Sequence, residues 1–310
     1  MTDFRPVQMR VPVLAARPVD HYHALTVVAP GVAERFRAGQ FVAVAVGDDR
    51  SGMMLRRPFS IYEVRPDHGG TVEFRFAVRG AGTAWLAERR AQDLVDVVGP
   101  LGRPYPLPRD PVNCVLAGEE HGGASLVPLA RALRRRGCRV DFVLGASTAA
   151  RILGGDSAQR LGESLTLTTE DGSLGERARV SDMVQRVVHE APADVVYAAG
   201  PLPLLRAVTA MGTSHGIPVQ VSVEQQMTCG TGICMSCVLP VTDADEITRM
   251  VRTCVDGPVF RGEQVRFDDV GTIPFDALGA PGWAVAARPQ HDREPVDATP
   301  SLTGSDREVS

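Results

Sequence analysis

No stretch of this 310-residue chain approaches the roughly 20 consecutive apolar residues that a membrane-spanning helix requires. The opening residues, MTDFRPVQMRVPVLAARPV, also lack an apolar run of signal-peptide length, so a cytoplasmic location is expected. Surplus positive charge is missing too. The 33 basic and 37 acidic residues give a net charge of -4, which argues against nucleic acid as a partner. The single basic cluster, Arg134-Arg135-Arg136, ends a helical pattern, where cations suit the helix dipole. No internal repeat is present. Cysteine is scarce, at six residues, yet four of them crowd into positions 229–254. Structural disulfides are rare in a reducing compartment, so this clustering points to metal before disulfide.

What is present suffices for real cores: 44% of residues are apolar, and the length suggests about two or three domains. From Val11 to about Pro108 short strands such as HALTVVAP, QFVAVAVG and TVEFRFAVRG alternate with turns, with one short helix at Ala84–Arg90. That pattern predicts a small antiparallel barrel, closed by the Gly-Pro turn of VGPLGRPYPLP. The texture changes at PRDPVNCVLAG. Strands are predicted at Val112–Ala117, Val140–Leu144, Leu165–Thr168, Asp194–Ala198 and Val219–Val223. Helices are predicted at Ser125–Arg135, with Leu126, Leu129 and Leu133 on one face, and at Val180–His189 and Pro201–Met211. Such alternation implies a doubly wound parallel sheet. The expected fold class is therefore multidomain β plus α/β. Residues 1–108 form an antiparallel barrel, 109–217 an α/β unit, 218–270 a small cysteine-rich unit and 271–310 a disordered tail.

The cysteines read Cys229-x4-Cys234-x2-Cys237, followed by Cys254 after sixteen intervening residues. This is the plant-type [2Fe–2S] spacing. Gly230 and Gly232 let a tight loop wrap a cluster and aim backbone N–H groups at sulfur, while Met227, Ile233, Met235 and Val238 would shield it. The turn at Asp256-Gly257-Pro258 would return Cys254 to the other three. Buried free thiols, a zinc site and a disulfide pair are the competing readings. Zinc would usually show two C-x2-C pairs, and only Cys234/Cys237 has that spacing. Cys114 and Cys138 read as core residues.

A cluster stores an electron and does no organic chemistry, so a hydride-accepting partner is needed. In LRRPFSIYEV, Arg57 offers a guanidinium for a phosphate, and Pro58, Phe59 and Ser60 add an aromatic ring and a hydroxyl at fixed strand offsets. In FAVRGAGTAWLAE a strand passes through Gly80-Ala81-Gly82-Thr83 into a helix, whose N-terminus favours a pyrophosphate. Each run alone also occurs as an ordinary strand end or helix cap; together they suggest FAD. In the α/β unit, Gly118, Gly122 and Gly123 of AGEEHGGASLVPL offer a phosphate-side turn. TTEDGSLGE and AAGPLPLL end later strands, where such sheets bind ligands. Glu119 and Glu120, however, would repel a dinucleotide's phosphates unless they point away or bind ribose.

Across about residues 10–270 these motifs, in this order, resemble the electron-transfer subunits of type B dihydroorotate dehydrogenase, a branch of the ferredoxin-reductase-like flavoproteins. RRPFSI resembles the family's flavin motif, VRGAGT its pyrophosphate loop, and EQQMTCGTGICMSCVLPV…RTCVDGPVF its cluster unit. The resemblance implies that Arg57, Pro58, Phe59, Ser60, Arg75, Phe76 and Ala77 meet the flavin, and Gly82 and Thr83 its pyrophosphate. It implies [2Fe–2S] ligation by Cys229, Cys234, Cys237 and Cys254. It further implies a partner, an FMN-containing catalytic subunit oxidising dihydroorotate to orotate, with electrons passing through the cluster and FAD to NAD+. The chain departs from the family at GEEHGG, where a run of glycines is usual, and at Ala199-Gly200-Pro201, where a cysteine usually precedes the Gly-Pro; its tail is also longer. The first two departures bear on NAD(H). No acid–base residue is nominated as catalytic. Two other readings keep the cofactors: a reductase subunit serving another oxidoreductase, and a redox-sensing or scaffold protein without nicotinamide binding.

Overall fold

The computed structural model describes residues 6–48, 51–67 and 69–283. Six strands close a barrel in the order β1 (Val7–Val19), β2 (Tyr22–Val28), β5 (Thr71–Phe76), β4 (Arg57–Arg65), β3 (Phe41–Val44), β6 (Leu94–Leu101). All its pairings are antiparallel. Alternation explains the closure: Leu25, Val27, Val42, Val44, Ile61 and Phe74 are fully buried in one core. A single turn, α1 (Pro30–Ala33), follows β2. The helix α2 (Ala81–Ala87) begins one turn ahead of the expected Ala84. The cause is local: Thr83 Oγ1 accepts the N–H groups of Arg79 (2.8 Å) and Gly80 (3.2 Å), so the first turn is capped from inside the glycine loop.

The second sheet runs β14 (Val259–Arg261), β11 (Val219–Val223), β10 (Val195–Gly200), β7 (Asn113–Glu119), β8 (Arg139–Ala146), β9 (Ser164–Thr169). Its four pairings from β11 to β9 are parallel, and the β14 edge is antiparallel. β8 is buried at seven consecutive positions, as a strand covered on both faces must be. One cover is α3 (Gly123–Arg135) with α4 (Gly155–Leu161), the second of which the sequence pattern did not reveal. Leu126, Leu129 and Leu133 are all fully buried beneath α3. The other cover is α5 (Val180–Glu190) with α6 (Leu202–His215). Pro201 caps α6 rather than starting it. The helix runs one turn past Met211 to Gly216, whose φ of +68° lets Ile217 N–H reach back to Gly212 O at 2.8 Å.

Two expected boundaries need correction. The cysteine-rich unit was expected to begin at residue 218, but β11 at Val219–Val223 belongs to the parallel sheet, held by hydrogen bonds to β10 and by complete burial of Val221. β14 then returns to the same sheet from beyond Cys254. The remainder is the hairpin β12 (Val238–Thr242) and β13 (Thr248–Arg252), followed by the one-turn helix α7 (Thr253–Asp256). The disordered tail was expected from residue 271. Instead residues 271–283 fold back on the hairpin: Ala277 is fully buried, Leu278 N–H donates to Thr248 O, and Asp276 pairs with Arg266 at 2.6 Å. Residues 284–310 lie outside the described residues. Among the described residues no helix is long and apolar enough to cross a membrane.

Candidate functional site

A cleft of about 260 Å³ opens between the barrel, the start of α3 and the segment that follows β11. Pro58, Phe59 and Ser60 reach it from the first residues of β4, and Arg75, Phe76 and Ala77 from the end of the paired strand β5. Phe59 is locked by stacking on Phe74 with ring centroids 5.0 Å apart, which leaves the exposed Ser60 facing the opening. Arg75 is pinned between Glu73, 2.8 Å from its Nε, and the Tyr62 ring 3.5 Å beneath its guanidinium. Thr83 lines the cleft as well, although its hydroxyl is engaged in capping α2. Arg57 and Gly82 stand at the edge, against each other: a Cβ on Gly82 would come within 3.1 Å of Arg57 Nε. Glycine there is what lets the RRPFSI strand and the VRGAGT loop meet.

Sequence reasoning missed the far wall. His121 Nε2 and Glu224 Oε2 lie 2.6 Å apart across the cleft, joining the loop after β7 to the start of the cysteine segment. The hydrogen bond to Glu224 raises the His121 pKa, against the opposing effect of burial. A raised folded value means the pair's stabilisation is full below the unfolded His value of about 6.5 and is lost as pH climbs through the folded value. The thermal midpoint of the wild type should therefore exceed that of His121→Gln by roughly 1–3 °C at pH 5.5, with the difference vanishing toward alkaline pH. A difference that grew with pH would contradict the pairing.

The expected phosphate-side glycines turn out to be packing residues. A Cβ on Gly122 would lie 2.2 Å from Ala199 O, one on Gly123 2.2 Å from Leu153 O, and one on Gly118 2.8 Å from Leu144. Glu120 does point away from the strand ends. Arg151 binds it at 3.1 Å, Ser147 Oγ donates to it at 3.1 Å, and Arg79 is 3.9 Å distant. Glu119 remains at the carboxyl edge of the sheet, its pKa raised by burial and then by Glu170 and Glu120. It lines a second cleft of about 250 Å³ with Thr168, Glu170, Arg179, Pro201 and Leu204, so the two strand-end motifs do converge on one place.

The cysteine loop covers the barrel's edge. Positive φ at Gly230 (+71°) and Gly232 (+84°) makes its turns, and a Cβ on Gly230 would lie 3.6 Å from the Ala43 side chain. Thr231 N–H points at Cys229 Sγ (3.4 Å). Burial works to raise the Cys229 pKa, yet the N–H groups of Cys234, Thr231 and Ile233 and the Cys234 side chain bring it down to about 6. Burial pushes the Cys254 thiol up to about 12, with the Cys237 side chain bonded to it adding to the shift. Side-chain hydrogen bonding links Cys229 with Cys234 and Cys237 with Cys254, and the charge of Cys229 also reaches Cys254. Among the described residues no three His, Cys, Asp or Glu side chains converge on the position of a single metal ion. The hairpin brings Cys254 home, not the Asp-Gly-Pro turn: Val238 pairs with Arg252, and Thr253 N–H then donates to Cys237 O at 2.9 Å. Two expected shields face solvent instead, Ile233 at 83% exposure and Met235 at 50%. Cys114 and Cys138 are buried core thiols, as expected.

These features recur in known proteins. Residues 224–266 match the family model of the iron-sulfur cluster binding domain of dihydroorotate dehydrogenase B. The dihydroorotate dehydrogenase B (NAD(+)) electron transfer subunit of Geobacillus kaustophilus is 37% identical over 78% of this chain and 92% of its own length. The corresponding homolog from Thermotoga maritima is 33% identical over 78% of this chain and 82% of its own. Among solved structures, the NADH-dependent reduced ferredoxin-NADP oxidoreductase superposes with a TM-score of 0.74 at 29% identity, over 84% of this chain and 91% of that one. A ferredoxin NADP+ reductase from Neisseria gonorrhoeae with bound FAD and NADP shares the fold, with a TM-score of 0.55 at 15% identity over 67% of this chain and 92% of that one. With its barrel, α/β sheet and cysteine hairpin in the same order, the chain belongs to the family of dihydroorotate dehydrogenase B electron-transfer subunits.

Proposed function

We infer that this protein carries electrons between a dihydroorotate-oxidising, FMN-containing partner subunit and NAD(H), and that it works in the cytoplasm. One observation carries the reading: Phe41, a wall of the cleft between barrel and α3, shares a hydrophobic cluster with Cys237 and Cys254. Met227, two residues before Cys229, lines the same cleft. A ligand in the cleft and a cluster on the cysteines would be separated only by this shared wall, which is what short-range electron transfer needs.

The donor set fits a two-iron cluster. A two-iron cluster would take two thiolates on each iron, and the four cysteines supply two hydrogen-bonded neighbours, Cys229 with Cys234 and Cys237 with Cys254. Cys229 and Cys234 would hold the outer iron, and the buried Cys237 and Cys254 the inner one. The cleft fits FAD: Arg57, beside Gly82 and next to the lining residue Pro58, would offer its Nε and Nη2 N–H groups to a pyrophosphate, and Ser60 and the Arg75–Ala77 strand end would meet the ring. FAD, when bound, exchanges a hydride with a nicotinamide and single electrons with the cluster. The chain's own residues orient it, exclude water with Phe76 and Met227, and hold a proton on His121 against Glu224. No residue is assigned as an acid–base catalyst.

Glu119 favours a second reading in which nicotinamide binding is lost, because it places a carboxylate at the strand ends where phosphates would approach. Anaerobic addition of NADH decides between them. Full bleaching of the flavin absorbance is expected, followed by appearance of a reduced [2Fe–2S] EPR signal; a spectrum unchanged by both NADH and NADPH would leave the redox-sensing reading in place. Co-purification with a dihydroorotate-oxidising flavoprotein identifies the partner, and its failure favours a reductase serving another oxidoreductase.

A further inference from the structure

Further along α3 lies another cavity, about 740 Å³, that shares no lining residue with the flavin cleft. It opens between α3, the turn after α1, the end of β4 and the linker that joins barrel to sheet. Tyr105 forms the partition. Its ring lines this cavity, while its hydroxyl bonds at 3.1 Å to Ser125, which lines the flavin cleft.

The charge of this cavity is one-sided. Arg37, Arg131, Arg135 and Arg136 line it against a single acid, Glu63. Glu63 is already neutralised, by Arg131 at 2.7 Å and by Arg65 at 3.2 Å. Burial would raise its pKa, but these two guanidinia hold it below the usual carboxylate range, so it stays ionised and paired. Arg135 and Arg136, exposed and in no ion pair among the described residues, leave the α3 end of the cavity positive, in a chain that contains no lysine and 33 arginines. Guanidinium presents a flat fork of N–H donors suited to the oxygens of a phosphate. Arg131 Nε is buried without a hydrogen-bond partner, a donor that the folded chain leaves unsatisfied. Arg135 and Arg136 close the helix's last turns, where they offset the negative end of its dipole. Apolar side chains complete the lining: Phe36 after α1, Pro104 and Pro106 of the linker, and Pro128 of α3 itself.

We propose that this cavity binds a small phosphomonoester with an apolar ring, at a site separate from both the flavin and the nicotinamide clefts. The phosphate would lie among the arginines at the end of α3, and the ring against the proline wall. Because α3 lines both cavities and Tyr105 joins them through Ser125, an occupant here would bear on the joint between barrel and sheet.

Titration calorimetry of the flavin- and cluster-loaded protein with phenyl phosphate, and separately with inorganic phosphate, tests the site. Saturable binding of one phenyl phosphate is expected, with inorganic phosphate weaker because it leaves the apolar wall uncovered. The double variant R135S/R136S removes charge at exposed positions and should weaken phenyl phosphate by about tenfold or more, with flavin content unchanged. Ala132→Trp, which fills the cavity and keeps its charge, should abolish binding independently. Absence of saturable binding in the wild type, undiminished affinity in either variant, or displacement of phenyl phosphate by NADH would each overturn the proposal.

Discussion

Replacing Cys234 with serine is expected to remove the iron–sulfur cluster while FAD stays bound. The position is exposed, and its sulfur bonds the Ser236 hydroxyl, 3.2 Å away, so the substitution disturbs no core packing. On the proposed ligation it would remove one of the two thiolates of the outer iron, and a serine hydroxyl is a poor replacement for a soft sulfur donor. Iron and acid-labile sulfide should fall to background. Flavin per chain should remain at the wild-type level, and NADH should still bleach it. Transfer to the partner subunit should drop by at least two orders of magnitude, since the shared wall at Phe41 then leads to no acceptor. The comparison with Cys254→Ser sharpens the test. Cys254 is 1% exposed in the cluster that includes Phe41 and Leu101, so its loss should also lower the thermal midpoint. A Cys234→Ser protein with wild-type iron content would refute the ligand assignment.

The second large effect concerns a glycine that looked like a phosphate binder. Gly122 has an ordinary helical backbone (φ -56°), so alanine there suffers no conformational penalty. Its added Cβ would, however, stand 2.2 Å from Ala199 O and 2.4 Å from Ala199 C, both backbone atoms of the neighbouring strand β10. Backbone in a parallel sheet cannot yield as a flexible side chain can. Either the start of α3 lifts from the sheet or β10 shifts, and Ser125 and Ala124 leave the flavin cleft with it. Gly122→Ala should cost about 3 kcal/mol and lower the thermal midpoint by roughly 6–12 °C. FAD retention should weaken in parallel, because α3 supplies one wall of its cleft. Gly216→Ala is the control with a different physics: open space surrounds it, and only its positive φ (+68°) is strained, so a loss of about 1 kcal/mol is expected. Equal losses at the two positions would show that the close contact with Ala199 does not govern Gly122.

Local chemistry was legible in the sequence wherever it repeats at short range. The C-x4-C-x2-C spacing and its glycines located the cluster loop, since positive φ at Gly230 and Gly232 is a demand that few other residues meet. Alternating valines marked the barrel, and the Leu126–Leu129–Leu133 stripe marked α3. Even the neighbouring placement of Pro58–Ser60 and Arg75–Ala77 follows from two strands joined by one turn.

Long-range contact decided the rest. Nothing near Gly122 announces that the carbonyl of Ala199 presses on it, and nothing near His121 announces Glu224. The return of β14 to the parallel sheet depends on hydrogen bonds to β11, from which the whole β12–β13 hairpin separates it along the chain. Whether Glu120 repels a ligand depends on Arg151, 31 positions away. Ile233 and Met235 carry apolar side chains that a sequence reading buries by default, yet the loop geometry turns them to solvent. Motif chemistry follows from residue type and spacing along the chain. The direction a side chain faces, and the charge that reaches it, are set by elements that meet only in the tertiary structure.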